Sequence, residues 1–260
     1  MSYTLLIGDH VYSSWSLRGW LAFAAFDIPV ETRLARLDTP EFFEALADFA
    51  PARTVPALRV DERAVLWDTL AIAEMLAERY RDKSFWPGDT VARGLARSMA
   101  AEMHSGFGAL RQHCPMDLGA AYEGFAAPEA ALADLARIET LWAAARACPG
   151  RGEGPWLFGA YSLADVFYAP IAARIATYGL PVSDEAAAYV AAHLAHPAFQ
   201  EWRAAALADP HRHPMPGDGL VQRPWPGLAA AEPAGVDAPV AEAFPATAQA
   251  TTEDGPTTAG

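Results

Sequence analysis

Residues 3–18 read Tyr3-Thr4-Leu5-Leu6-Ile7-Gly8-Asp9-His10-Val11-Tyr12-Ser13-Ser14-Trp15-Ser16-Leu17-Arg18. Tyr3 to Gly8 has the make-up of a short buried strand closed by glycine. From about Ser14 to Phe26, Leu17, Trp20, Leu21 and Ala24 recur at helical spacing, with serines available to cap the helix start. A strand passing directly into a helix sets the pattern for the first third of the chain. Asp27-Ile28-Pro29 breaks that helix, and Val30 to Leu34 is the next strand. Asp38-Thr39-Pro40 then opens a helix of roughly Glu41 to Phe49, with Asp or Thr as cap and Pro in the first turn. Pro56 to Val60 and Ala64 to Trp67 flank Asp61-Glu62-Arg63 with the alternation and length of a hairpin, and Thr69 to Tyr80 reads as a helix. The order βαβαββα predicts a small mixed sheet flanked by helices.

Beyond Asp82-Lys83-Ser84-Phe85-Trp86-Pro87-Gly88 the strand signal vanishes. Ala- and Leu-rich periodic runs cover about Thr90 to His113, Pro128 to Ala147, Leu163 to Tyr178, Asp184 to Leu194 and Ala198 to Ala208, which predicts an all-helical region. From Pro214 to Gly260 there are 8 Pro and 6 Gly in 47 residues, too few apolar groups for a core. Trp225, Leu228 and Phe244 are candidates to dock locally. The expected organisation is an α/β domain over 1–82, a linker over 83–89, an all-α domain over 90–213 and a disordered tail over 214–260.

The 260 residues are 52% hydrophobic and 20% charged, which suits a folded chain with at least one core. With 19 Lys+Arg against 32 Asp+Glu the formal net charge is -13, so nucleic acid and anionic membrane surfaces are not expected as partners. Cys114 and Cys148 have neither zinc-ligand spacing nor the number for a disulfide framework, and neither a secretory leader nor a membrane span is evident. A cytoplasmic protein without a metal is the expectation.

Three short stretches could carry chemistry. Ser13, Ser14 and Ser16 sit where the N–H groups of a helix start point outward, so an anion would be favoured there, although N-capping alone calls for the same residues. The G-x-S-x-G elbow of a serine hydrolase is absent. Arg53-Thr54-Val55-Pro56-Ala57-Leu58 begins a strand with a proline, which leaves the backbone at Val55 open to an extended ligand, or marks an ordinary edge strand. Asp68-Thr69, at a helix start, can cap that helix and meet a ligand carboxylate at its N–H groups.

In this order, followed by a helical region, the three stretches resemble the thioredoxin-like half of the cytosolic glutathione transferases, over roughly Tyr3 to Leu207. Ser13-Ser14-Trp15-Ser16-Leu17-Arg18 is most similar to the S-S-C-S-x-R signature of the zeta, maleylacetoacetate isomerase-like branch, with Trp15 where that class has Cys. Asp68-Thr69 stands where the family has Glu-Ser. Tyr161-Ser162-Leu163-Ala164-Asp165-Val166 resembles the family's capping box and hydrophobic staple. The resemblance implies a thioredoxin-like domain followed by the all-helical transferase domain, and glutathione as co-substrate with a hydrophobic electrophile. It implies Ser13 as the hydroxyl that stabilises the glutathione thiolate, with Ser14 the close alternative. Arg53, Val55, Pro56, Asp68 and Thr69 would bind glutathione, and Trp15, Met103, His104 and Phe107 would line the second-substrate pocket. A homodimer is implied too. A glutathione-dependent cis-trans isomerase and a noncatalytic binding module of the same fold are the alternatives.

Overall fold

The computed structural model describes residues 2–226 apart from Glu62. Strands β1 (Tyr3–Ile7), β2 (Glu31–Leu34), β3 (Ala57–Val60) and β4 (Ala64–Trp67) alternate with helices α1 (Ser14–Ala24), α2 (Pro40–Ala47) and α3 (Thr69–Arg79). They form one sheet in the order β2-β1-β3-β4, with β1 parallel to β2 and the other pairs antiparallel. Leu5 pairs with Thr32 on one side and Leu58 on the other, and Leu58 with Leu66. Central β1 is apolar and buried, whereas every residue of edge strand β2 is exposed, as its Glu-Thr-Arg-Leu sequence requires.

The helical region holds α4 (Thr90–Ser105), α5 (Gly108–His113), α6 (Glu129–Arg146), α7 (Leu163–Tyr178), α8 (Asp184–Ala195) and α9 (Pro197–Ala208). The single helix expected over Thr90 to His113 is two. Gly106 ends α4, and a Cβ there would lie 2.8 Å from the Glu102 carbonyl, so its glycine serves the chain turn and not a close helix approach. Phe107 then takes a left-handed conformation (φ 60°) before α5 starts. All of α7 is buried, and it packs against α1, α4 and α8.

Two helices lock this arrangement. In α1, Leu17, Leu21 and Phe23 face the core, and Gly19 meets the strand side, where an added Cβ would come within 2.7 Å of the Pro56 ring. At the start of α7, buried Asp165 accepts from the backbone N–H of Ser162 (2.9 Å) and of Leu157 (3.1 Å), and from the hydroxyls of Ser162 (2.9 Å) and Tyr189 (2.8 Å). Burial pushes this carboxyl up to about 6 despite its four donors. The expected reach of Asp165 back to Ser162 is therefore present. Beside it, fully buried His193 is ringed by Trp156, Tyr161, Tyr189 and His196 with both ring nitrogens unpartnered.

Residues 209–226 pack along the protein. Arg36 bridges Asp9 and Asp209, the N–H of His213 donates to the Tyr12 hydroxyl (2.9 Å), and Glu123 N–H donates to the Val221 carbonyl (2.8 Å). Trp225 is buried with the Arg203 guanidinium 4.3 Å from its ring centre, the local docking expected of it. Residues 227–260, including Leu228 and Phe244, lie outside the described residues. Among the described residues no helix is long and apolar enough to cross a membrane.

Gly19→Ala should cost about 2 kcal/mol of stability, although the same change on an exposed helix gains about 1 kcal/mol, because the new methyl overpacks against a rigid proline ring. Chemical denaturation decides it, and an unchanged or raised midpoint would dissolve the constraint. His193 is pushed down to about 3 by burial, while the unfolded chain protonates it near 6.5. Its contribution to stability is thus complete above pH 6.5 and is lost as pH falls toward 3, about 2 kcal/mol by pH 5. Denaturation of His193→Phe at pH 7.5 and pH 5 should show a flatter acid loss than wild type, and equal slopes would refute the assignment.

Candidate functional site

A cleft of about 490 Å³ opens where the β1–α1 turn, the segment before β3, the start of α3 and α4 converge. A larger depression of about 670 Å³ over β4 and α3, lined by Arg63, Leu66, Met75, Glu78 and Arg79, is more open and has no hydroxyl or thiol side chain in its wall.

Ser13 is the N-cap of α1. Its Oγ accepts from the Ser16 N–H (3.3 Å) and donates to Ser16 Oγ (2.8 Å), which in turn accepts from the Gly8 N–H (2.8 Å). The cap thus fixes its hydroxyl at the positive end of the helix, in the cleft wall. Ser14 is also buried, but its Oγ lies 3.4 Å from Arg174 Nη2 and the residue does not line the cleft.

Across from Ser13, Arg53, Thr54, Val55 and Pro56 form one wall, and the Val55–Pro56 peptide is cis. Asp68 caps α3, its Oδ1 accepting from the Leu70 N–H (2.8 Å). Thr69 follows, buried, with its hydroxyl oxygen lacking any hydrogen-bond partner. The helical side contributes His104, whose Nε2 is 3.1 Å from Asp68 Oδ2 and whose ring stands edge-on to Trp15 at 4.9 Å. Burial, followed in effect by Arg18 and Arg111, pushes His104 below its ordinary value against the pull of Asp68.

The cleft therefore gathers Ser13, Trp15, Arg53, Val55, Pro56, Asp68, Thr69 and His104. It does not gather Ser14, nor Met103 and Phe107. Met103 is fully buried among the helices and Phe107 is buried ahead of α5, so neither forms the cleft wall. Leu37, Phe42 and Tyr12, not anticipated from the sequence, complete the wall.

Behind Trp15 lies an unanticipated cluster of cations. Arg18 is 1% exposed, and none of its three guanidinium nitrogens has a hydrogen-bond partner. Its guanidinium lies 4.9 Å from the Trp15 ring centre, and that of Arg111 lies 5.0 Å from the same ring. Arg174 donates to the carbonyls of Cys114 (2.9 Å) and Pro170 (3.2 Å). Burial, reinforced by Arg111 and Arg174, pushes Arg18 well below the usual range, and burial with Arg111 brings Arg174 down to about 10. A lone Arg inside the apolar run of α7 was the available signal for Arg174. Both cysteines are free, and burial pushes Cys114 up to about 11, which keeps its thiol protonated. Among the described residues no group of three or more His, Cys, Asp or Glu is arranged to hold a metal.

Residues 12–79 match the family model described as glutathione S-transferase, N-terminal domain. No curated protein matches the sequence. Among solved structures, a glutathione transferase homologue from Burkholderia gl BGR1 with bound glutathione is 25% identical, with 78% of this chain and 96% of that chain covered and a TM-score of 0.57. An unclassified glutathione S-transferase from Bombyx mori is 21% identical (80% and 94% covered, TM-score 0.62). A theta class enzyme from Xanthomonas axonopodis pv. citri with glutathione bound is also 21% identical (79% and 99% covered, TM-score 0.56). Of these three only the last has a named class, theta, and none is named as zeta. The match to the family model covers the N-terminal domain, and the chain shares its overall fold with these glutathione transferases.

Proposed function

We propose that the protein is a glutathione transferase that activates the glutathione thiol as thiolate for attack on an electrophilic small molecule. The observation that supports this is one cleft holding the capping hydroxyl of Ser13 together with Arg53, Val55, Asp68 and Thr69. Arg53 meets the glycyl carboxylate, and the Val55 main chain pairs with the cysteinyl unit. Asp68 faces the γ-glutamyl amine, and the unpartnered Thr69 hydroxyl with the first N–H groups of α3 receives its carboxylate. The thiol then lies toward the start of α1. There it loses its proton to water, and the Ser13 hydroxyl, turning its proton from Ser16 Oγ to the sulfur, and the helix dipole stabilise the resulting anion. Trp15, Leu37 and Phe42 supply the apolar surface for the electrophile. A cytoplasmic homodimer belongs to the same reading, and Trp67 on β4 (46% exposed) and Val91 on α4 (67% exposed) offer apolar area for a second copy.

A second reading is favoured by the guanidinium cluster behind Trp15. A buried Arg18 without partners suits an anionic second substrate, as a maleylacetoacetate-type cis-trans isomerase requires. There the thiolate adds to a conjugated double bond, the bond rotates, and elimination returns free glutathione.

Ser13→Ala should raise the pKa of bound glutathione, seen as loss of thiolate absorbance near neutral pH, and lower kcat about a hundredfold while leaving glutathione binding nearly intact. Wild-type turnover in Ser13→Ala would move the role to Ser14 or end the reading. The two reactions separate on stoichiometry: with a panel of neutral electrophiles and maleylacetone-like acids, the transferase consumes one glutathione per turnover. Isomerised product with glutathione recovered in full would favour the second reading.

A further inference from the structure

We propose that His104 is a positioning residue for γ-glutamyl recognition, holding Asp68 from the helical domain, and so sets the preference of the cleft for glutathione over thiols that lack the γ-glutamyl group. This rests on the reading of the cleft as a glutathione site. It moves His104 from the electrophile side of the cleft to the peptide side.

Asp68 has two carboxylate oxygens and two obligations. Oδ1 is committed to the Leu70 N–H at 2.8 Å, where it caps α3. Only Oδ2 remains to face a ligand ammonium, and it lies 3.1 Å from His104 Nε2. Asp68 itself sits at φ 77°, a left-handed conformation that L residues seldom adopt and that the surroundings must impose. A carboxylate 44% exposed on such a turn has other rotamers open to it in water, and the contact from α4 removes them.

The imidazole is built for that one contact. Its ring is held edge-on by Trp15 at 4.9 Å and flanked by Phe167 at 6.5 Å, and Nδ1 is buried without a partner. With its proton on Nε2, the neutral ring donates to Asp68 and leaves the Asp68 charge uncancelled. The charged groups facing the ring are Asp68, Arg18 from α1 and Arg111 from the last turn of α5, and with burial the two cations keep it neutral. Protonation would place a second cation beside the γ-glutamyl ammonium and consume the charge that attracts it. Affinity should therefore fall as pH drops below the ordinary histidine range.

The test uses two thiol-blocked ligands, so that sulfur titration does not enter: S-methylglutathione and S-methylcysteinylglycine, which lacks the γ-glutamyl group. Calorimetry on the full chain should show His104→Ala binding S-methylglutathione about tenfold more weakly than wild type, with the dipeptide affinity unchanged. His104→Gln, whose amide N–H can still reach Asp68, should restore most of the affinity. It should also lose the decline that wild type shows between pH 7 and pH 5. Equal S-methylglutathione affinity in wild type and His104→Ala overturns the inference, as does an equal loss for both ligands, which would mark a general collapse of the cleft. Wild type that binds neither ligand overturns the glutathione reading itself, and the inference with it.

Discussion

The bare face of α1 at Gly19 sets the geometry of the cleft. Because no side chain stands between the helix and the Pro56 ring, the strand-leading segment Thr54 to Pro56 closes onto α1. The same helix begins less than two turns away at Ser13, so the capping hydroxyl and the peptide-binding wall become neighbours without any long loop to position them. The other faces of α1 pack on α3, α7 and α9. One helix thus forms the floor of the sheet domain, the seam with the helical domain and the anion-favouring end of the cleft. A shift of α1 would be felt at all three.

Buried charge divides the molecule into scaffold and site. Asp165 is buried and meets four donors, so its charge is compensated where it stands and its task is to tie the start of α7 to α8 and to the loop before it. Arg18 is equally buried and meets none. A guanidinium without partners is costly, and such a cost is retained where a ligand or a developing negative charge completes it. Thr69 repeats the pattern on a smaller scale, with a buried hydroxyl that its own domain leaves unpaired. Both orphans belong to elements that meet at the cleft. His193, away from the cleft, is unpartnered too, but it is uncharged inside an aromatic ring of neighbours and needs no counter-charge.

What could be read from the sequence follows the range of the interactions that determine it. The βαβαββα order, the α7 limits at Leu163 and Tyr178 and a serine cap at the start of α1 depend on residues adjacent in the chain, and all three were legible. The break between α4 and α5 was not, because Met103, Phe107 and Leu110 keep helical spacing straight through it. The family resemblance placed Met103 and Phe107 at the second-substrate pocket, whereas both are buried and neither forms the cleft wall. Periodicity reports that a face is buried and is silent about what covers it. Leu37 and Phe42 reach the cleft through the sheet topology, and Arg18, Arg111 and Arg174 meet across the domain seam from three separate helices. No local pattern encodes such a meeting.

Charge at long and short range then acts in opposite senses on the ligand. The chain carries a formal -13, and glutathione is itself an anion at neutral pH, so the two repel at a distance. At physiological ionic strength that repulsion is screened beyond about 8 Å. Inside the cleft the balance reverses, because the helix starts at Ser13 and Thr69 and the guanidinium cluster behind Trp15 act over short paths through poorly polarisable surroundings. Screening by salt removes the unfavourable part of the field and leaves the favourable part nearly untouched. An acidic surface is therefore compatible with an anionic ligand so long as the cations are buried, and buried cations are what Arg18 and Arg174 provide.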